Sequence, residues 1–288
     1  MKKNSIHFWL FLAPVLIAFF VIELIPVLMG VYYSFTDWNG IENAANIVGL
    51  QNYVTVFTND IDFWKSFWFT TRFAITAVII INVVGFLLAV LVTQGFRGSS
   101  FLRGVFFMPN LIGGILLGFT WQFIFTKAFD SIGQILGAEW LQGWLSTPAT
   151  GFWGMIIVMV WQLSGYMMII YIAALQNIPD SLNEAAMIDG ANAWHRLKSI
   201  TLPMVAPAFT IGLFLSLSNA FKLFDQNLSL TGGGPFKTTQ MLALNIYNTA
   251  FTQNDLGLAQ AKALIFLAAV ALITLTQLYF SKRKEVEM

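Results

Sequence analysis

The polar side chains with informative spacing are few, and they fall within two apolar segments. Gln162 and Tyr166 lie one helical turn apart in a run of Met, Ile and Val. Ser216 and Asn219 recur with Gly212 at intervals of four and three residues, which places the three on one face of a helix. The two polar stripes can line a common cavity for a polar ligand. Alternatively, they mediate close packing through small and hydrogen-bonding residues.

A glycine-rich stretch resembles a phosphate-binding loop only in its composition. It runs Thr231-Gly232-Gly233-Gly234-Pro235-Phe236-Lys237-Thr238. Phe236 occupies the place of the glycine that precedes the lysine in such loops, and Pro235 removes a backbone hydrogen-bond donor. We therefore expect a tight turn here rather than a nucleotide site.

The residue types of a metal or catalytic centre are not grouped anywhere in the sequence. The two histidines, His7 and His195, lie far apart, and the chain contains no cysteine. We therefore expect no metal site and no catalytic residues, so the chain is not expected to be an enzyme.

The composition is typical of an integral membrane protein. Hydrophobic residues make up 57% of the sequence and charged residues 10%, well outside the usual balance of soluble chains. The formal net charge is +1, so no nucleic-acid partner is indicated.

Six apolar stretches are long enough to cross a bilayer core of about 30 Å, which needs about 20 residues per helix. They are Phe8–Tyr32, Thr71–Gln94, Gly104–Phe125, Gly151–Leu175, Met204–Phe224 and Leu258–Phe280. We expect an all-α fold with six transmembrane helices, forming one domain over residues 1–288.

Lysine and arginine placement favours a cytoplasmic position for both termini, because basic residues accumulate on the inner side of membrane proteins. The residues that would then lie inside are Lys2, Lys3, Arg97, Arg103, Arg196, Lys198, Lys282, Arg283 and Lys284. This orientation also places the segment between the fourth and fifth spans in the cytoplasm.

That segment, residues 178–203, is polar and carries the signals of a capped helix. Ser181 with Glu184 three residues later matches a capping box, and Gly190 stands where a helix end favours left-handed backbone. We expect a short helix from about Ser181 to Asp189.

A second short helix is expected from Ala193 to about Ser199, with Pro203 ending it. Two short polar helices between long apolar spans form either a docking surface or a solvated connector.

Three short motifs in this segment carry a resemblance to a known family. They are Glu184-Ala185-Ala186, Asp189-Gly190-Ala191 and Leu202-Pro203. At these spacings they resemble the loop of the membrane subunits of ATP-binding-cassette importers, in which the first helix of the loop fits a cleft on the ATPase subunit. The resemblance implies a permease that couples to ATPase subunits through this loop.

Two further stretches resemble carbohydrate-importing members of that family. One joins Lys222-Leu223-Phe224-Asp225 to the glycine-rich turn, and the other is the Tyr-Met-Met stretch that begins at Tyr166. In maltose-type importers the sugar contacts come from the two helices that correspond to the fourth and fifth spans. The implied substrate path comprises Gln162, Tyr166, Ser216, Asn219, Lys222, Phe224 and Asp225. Lys222 and Asp225 form an ion pair at the outer gate or a plain helix-surface pair.

The resemblance also implies the partners and the location. A second, related permease subunit would complete the pore, and two ATPase subunits would bind ATP and magnesium, which this chain does not. An extracytoplasmic solute-binding protein would deliver the carbohydrate. The whole would lie in the plasma membrane of a prokaryote, in contact with lipid.

Glu23 is the acid well inside a predicted span, and it is the residue on which an alternative to the importer permease would rest. Intramembrane acids are functional candidates by default. The alternative, which we favour, is a carboxyl that is paired inside the bundle or reaches towards the outer interface. A stand-alone ion-coupled secondary transporter would be expected to carry several such groups. A permease for glycerol phosphate or another polyol phosphate is the other alternative, but it would favour basic residues at mid-membrane, and the spans contain none there.

Overall fold

The structure, a computed structural model, describes residues 4–42 and 45–282 and is built from helices. These are α1 (Asn4–Phe19), α2 (Ile25–Tyr33), α3 (Gln51–Thr58), α4 (Ile61–Thr93), α5 (Ser99–Phe107), α6 (Gly114–Phe123), α7 (Phe129–Leu136), α8 (Pro148–Gln176), α9 (Asp180–Ile188), α10 (Ala193–Arg196), α11 (Leu202–Phe221), α12 (Leu242–Phe251) and α13 (Leu256–Lys282). Lys2, Lys3, Arg283 and Lys284, which entered the orientation argument, lie outside the described residues.

Five helices in the described part of the chain are long and apolar enough to cross a membrane. They cover Phe8–Tyr33, Ile61–Thr93, Pro148–Gln176, Ala193–Phe221 and Leu256–Lys282. A bent pair, Ser99–Leu111 and Gly114–Leu136, makes a sixth if it counts as one span. The predicted all-α membrane fold is therefore confirmed.

The third span differs from the continuous helix that we predicted over Gly104–Phe125. Its two halves meet at an angle of 100°. Pro109 lies in a tighter turn at the end of the first half, and Ile112 and Gly113 adopt extended backbone before helix α6 begins. The break follows from local chemistry, because proline cannot donate to the preceding turn and glycine is a poor helix former.

The chain divides into two compact units. Of the described residues, the first takes those within 1–64 and 245–268, and the second takes those within 65–244 and 269–288.

Within the first unit, a buried ion pair fixes the start of helix α13. Lys262 is 2% exposed, and its amino group lies 2.6 Å from a carboxylate oxygen of Asp60. The same amino group donates to Asn245 at 3.2 Å and to Thr249 at 2.7 Å. All three ammonium donors are thereby used, which is the condition under which a buried charge is tolerated.

Within the second unit, glycines allow helices to approach closely. A Cβ on Gly85 of α4 would lie 2.8 Å from the Met167 Cβ of α8. A Cβ on Gly165 of α8 would run into the backbone of Phe106 in α5. Small residues at such contacts are a common way to pack membrane helices. They draw α4, α5 and α8 into one bundle.

Candidate functional site

The first helix of the polar segment, α9, begins one residue earlier than predicted. It covers Asp180–Ile188, with Pro179 at the N-cap and no side-chain capping bond. The predicted capping box of Ser181 and Glu184 is therefore wrong. Ser181 lies inside the first turn instead of before it, so its hydroxyl is not placed to accept from the exposed amides.

The end of α9 is closed by the left-handed glycine that the sequence predicts. Gly190 has φ +81°. Its amide donates to the Met187 carbonyl at 3.1 Å, and the Ala191 amide donates to the Ala186 carbonyl at 2.8 Å. These two bonds form a Schellman motif, which satisfies carbonyls that the helix end would leave unpaired. The chain therefore leaves α9 in a fixed direction.

The predicted coupling residues lie on the surface of this helix and its exit. Glu184, Ala185, Asp189 and Gly190 are exposed, and Ala186 and Ala191 are half-buried. Large apolar side chains are exposed beside them: Met187 at 52%, Ile188 at 86% and Trp194 at 70%. A helix that only connected two spans in water would not need to display apolar groups of this size.

The second helix of the segment does not stop at Pro203, and that prediction is wrong. Asn192 caps α10 by accepting from the His195 amide at 2.8 Å. The backbone then passes through a π-turn, Leu197–Thr201, directly into α11. Pro203 lies in the first turn of α11, where a missing amide is tolerated. The result is one uninterrupted helix, Ala193–Phe221.

Gln162 of α8 holds the break in the third span. Its side-chain amide donates to the Ile112 carbonyl at 3.0 Å, and its carbonyl oxygen accepts from Gln226. Gln226 is 3% exposed, and no residue that the structure describes hydrogen-bonds to its side-chain oxygen. Sequence reasoning missed Gln226, since it follows the fifth span and belongs to no helical stripe.

Ser216 of α11 is enclosed in a hydrogen-bonded group with two residues that sequence reasoning also missed. Asn82 of α4 donates to the Ser216 hydroxyl at 2.8 Å and accepts from the Tyr171 hydroxyl at 2.5 Å. Ser216 donates in turn to the Gly212 carbonyl at 2.6 Å. Asn82, Tyr171 and Ser216 are 4%, 0% and 0% exposed. They join α4, α8 and α11, so Ser216 serves packing in this conformation.

The remaining residues of the predicted substrate path are more accessible. Asn219 is exposed, one turn beyond Ser216, and donates to the Leu215 carbonyl of its own helix at 2.8 Å. Tyr166 and Phe224 are half-buried.

The Lys222 and Asp225 side chains are exposed near the end of α11. Lys222 caps this helix, so Phe224 lies beyond the helix rather than within it as predicted. In the part of the chain that the structure describes, no salt bridge joins Lys222 to Asp225. Asp225 instead lies against the broken span, where a Cβ on Gly114 would be 2.7 Å from its Cβ.

The glycine-rich stretch forms a hydrogen-bonded turn over buried polar support. The Gly234 amide donates to the Thr231 carbonyl at 2.9 Å. Asn227 beneath the turn donates to the Thr239 carbonyl at 2.8 Å and accepts from the Met241 amide at 2.9 Å. The amides of Gly232, Gly233 and Gly234 all donate to residues 227–231, which is unlike a loop whose amides surround a phosphate.

Comparison with known proteins places the chain in a family. A family model described as "Binding-protein-dependent transport system inner membrane component" matches residues 81–286. The probable starch degradation products transport system permease protein AmyD of Thermoanaerobacterium thermosulfurigenes is 51% identical over 286 residues, covering 99% of this chain and 97% of AmyD. The multiple sugar-binding transport system permease protein MsmF of Streptococcus mutans is 32% identical over 284 residues, covering 98% of each chain.

Among solved structures, a chain of a bacterial ABC transporter involved in the import of the acidic polysaccharide alginate is similar, with a TM-score of 0.84 and 20% identity. The match covers 98% of this chain and 96% of that one. At this identity the likeness concerns the fold, and it agrees with the helical membrane architecture described above. The family match, which spans most of the sequence, shows that this chain belongs to the inner-membrane components of binding-protein-dependent transport systems.

Proposed function

We propose that this chain is one of two permease subunits of an ATP-driven importer that carries a carbohydrate, of oligosaccharide size, into a prokaryotic cell. It acts as a single transmembrane domain over residues 1–288 with both termini in the cytoplasm. The importer has two ATPase subunits, which hold the ATP and magnesium, and one of them binds the loop that contains α9 and α10. A solute-binding protein delivers the carbohydrate on the other side. As a permease subunit, the chain itself is not an enzyme.

The exposed face of α9 and α10 supports the docking of an ATPase subunit. Met187, Ile188 and Trp194 supply apolar area, and Glu184 supplies a charge close to it. An interface of this kind has an apolar centre with polar groups around it. The Schellman motif at Gly190 holds α9 at a fixed angle to the chain that follows.

The continuous helix Ala193–Phe221 is the observation that carries the proposal. It begins in the polar segment, residues 178–203, and extends past Asn219, which lies on the proposed substrate path. The helix is continuous through its π-turn, so a displacement of its start is carried along its axis. Movement of the ATPase subunits would therefore shift the substrate-facing residues directly, as coupling between two states of a transporter requires.

The polar residues on α8 and α11 support a carbohydrate substrate. Asn219 is exposed and Tyr166 is half-buried, so an amide can bind sugar hydroxyls and an aromatic ring can lie against a pyranose face. Relatives named for starch degradation products and for multiple sugars point to the same class of substrate. Lys222 and Asp225 lie at the outer end of this path.

The test is uptake by the reconstituted transporter. The chain is assembled in proteoliposomes with the second permease, the ATPase and the binding protein of the same transporter. Radiolabelled maltotriose should accumulate, and unlabelled maltotriose should compete for uptake while glycerol 3-phosphate should not. Competition by glycerol 3-phosphate alone would contradict a carbohydrate substrate. Asn219→Ala and Tyr166→Ala should each raise KM with little change in assembly, because each removes about 1 kcal/mol of binding.

A further inference from the structure

A long groove runs between helix α11 and the end of helix α13. Its volume is about 530 Å³, and its walls are Pro207, Thr210, Ile211, Phe214 and Leu215 of α11 with Leu278 and Lys282 of α13. All of these residues belong to the second compact unit. The stretch from Pro207 to Leu215 extends ~12 Å along its helix. This length is close to ~15 Å, which is half the thickness of the hydrocarbon core of a bilayer.

The walls of the groove are apolar and accessible. Ile211 is 52% exposed and Phe214 is 37% exposed. The hydroxyl of Thr210 donates to the Ala206 carbonyl of its own helix at 3.3 Å, so its proton is already used. A sugar would find few hydrogen-bonding partners along these walls. The groove therefore differs in its chemistry from the proposed substrate path, although both lie along α11.

The cation of the groove lies at one end of it. Lys282 is the last residue of α13, and its side chain is exposed. A lysine at the end of an apolar span extends its amino group to the level of the lipid headgroups. In the sequence, Arg283 and Lys284 follow directly, and Glu285 and Glu287 come after them. Within the described ranges, no carboxylate forms a salt bridge with Lys282.

This arrangement selects an amphiphilic ligand with an anionic head. An acyl chain covers apolar walls, and a phosphate group is attracted to a lysine at the membrane surface. A zwitterionic headgroup carries its own ammonium group, which offsets this attraction. A transmembrane helix of another subunit would cover the apolar walls equally well, but it would not require a cation at the end of the groove.

We propose that the groove between α11 and α13 is a binding site for an anionic phospholipid. One acyl chain lies along α11 from Pro207 to Leu215, and the phosphate group lies against the amino group of Lys282. The inference goes beyond the proposed function, because it assigns a lipid site to the chain and requires neither sugar nor ATP.

Fluorescence quenching in nanodiscs that contain the complete transporter tests the preference for an anionic lipid. The chain has no cysteine, so with cysteine-free partner subunits Leu275→Cys, 65% exposed and one turn before Leu278, can carry a bimane label alone. Phosphatidylglycerol with a spin label on its acyl chain should reach half-quenching at about fivefold lower mole fraction than spin-labelled phosphatidylcholine, as expected for one basic residue at the membrane surface.

Two substitutions show whether the preference arises at Lys282. Lys282→Gln should make the two spin-labelled lipids quench alike. Lys127→Gln, at an exposed lysine outside the groove, is the matched control and should keep the fivefold difference. Equal quenching by the two lipids in the wild-type background, or a preference that survives Lys282→Gln, would overturn the proposal.

A second pair of variants tests the place of the acyl chain without changing the charge. Ile211→Trp should fill the groove and raise the mole fraction of phosphatidylglycerol at half-quenching about fivefold. Leu87→Trp, at an exposed apolar residue of α4 outside the groove, should leave it unchanged. The same mole fraction in both variants would refute the groove as the site.

A photoreactive maleimide on Leu275→Cys identifies what covers the groove. An adduct with phosphatidylglycerol is expected, and an adduct only with another protein subunit would overturn the proposal. None of these measurements uses sugar or ATP. Failure of the wild-type transporter to take up sugar would therefore refute the proposed function and leave the lipid site standing.

Discussion

Replacement of Gly190 by valine tests the coupling loop at one backbone position. A Cβ built on Gly190 meets nothing within 4 Å, so the substitution causes no steric clash with the rest of the chain. Its cost comes from φ +81°, because left-handed backbone costs an L-residue about 1–2 kcal/mol and is least tolerated by β-branched side chains. That energy reduces the population of the native helix exit by about 5- to 30-fold relative to its alternatives.

The assay is substrate-stimulated ATP hydrolysis by the purified transporter, together with retention of the ATPase subunits. Gly190→Val should lower both, and Gly190→Asn should lower them much less, because asparagine tolerates left-handed backbone. Valine and asparagine are similar in size, so the difference between the two variants reports mainly the cost of left-handed backbone at residue 190. If valine and asparagine behaved alike, or if valine kept wild-type coupling, the left-handed exit of α9 would have no special role.

Three further predictions follow from buried or hydrogen-bonded polar groups. Asn82→Ala should lower the melting temperature of the complex, because it leaves buried partners unpaired at about 1–3 kcal/mol each; Asn219→Ala, at an exposed site, should not. Lys262→Met should destabilise the chain by about 3–5 kcal/mol by leaving Asp60 with an uncompensated charge, and the double variant with Asp60→Asn should recover part of the loss. Hydrogen bonds from Asn46 lower the pKa of Asp37 below its ordinary value of 3.8. The backbone amides of Asp37 and Asn46 should therefore keep their protection from exchange down to pH 3.8 and lose it only as the pH falls through the lowered pKa.

The features that sequence predicted best are local. Apolar length identified five of the spans within a few residues at most ends, because a membrane helix must satisfy its backbone within itself. Gly190 was predicted as a left-handed helix end from its position alone. The predicted capping box at Ser181 is wrong, because α9 begins one residue earlier and Ser181 therefore lies in the first turn.

Features that depend on contacts distant in sequence could not be predicted. Gln226 and Asn82 lie in different segments from the residues they bind, and neither belongs to a stripe that a periodic pattern would expose. The break at Ile112 is stabilised by Gln162, 50 positions later in the sequence. The sequence predicts a stop at Pro203, because the π-turn before it, which allows the helix to continue, has no sequence signal.

The most direct test of the account is whether sugar accumulation requires ATP and the partner subunits. Proteoliposomes containing the chain alone, and others containing the complete transporter, are supplied with labelled maltotriose with and without internal ATP. Accumulation is expected only in the complete transporter with ATP, and Gly190→Val should reduce it. Accumulation by the chain alone, driven by an ion gradient, would contradict the account and make the chain a secondary transporter with Glu23 as its first candidate residue.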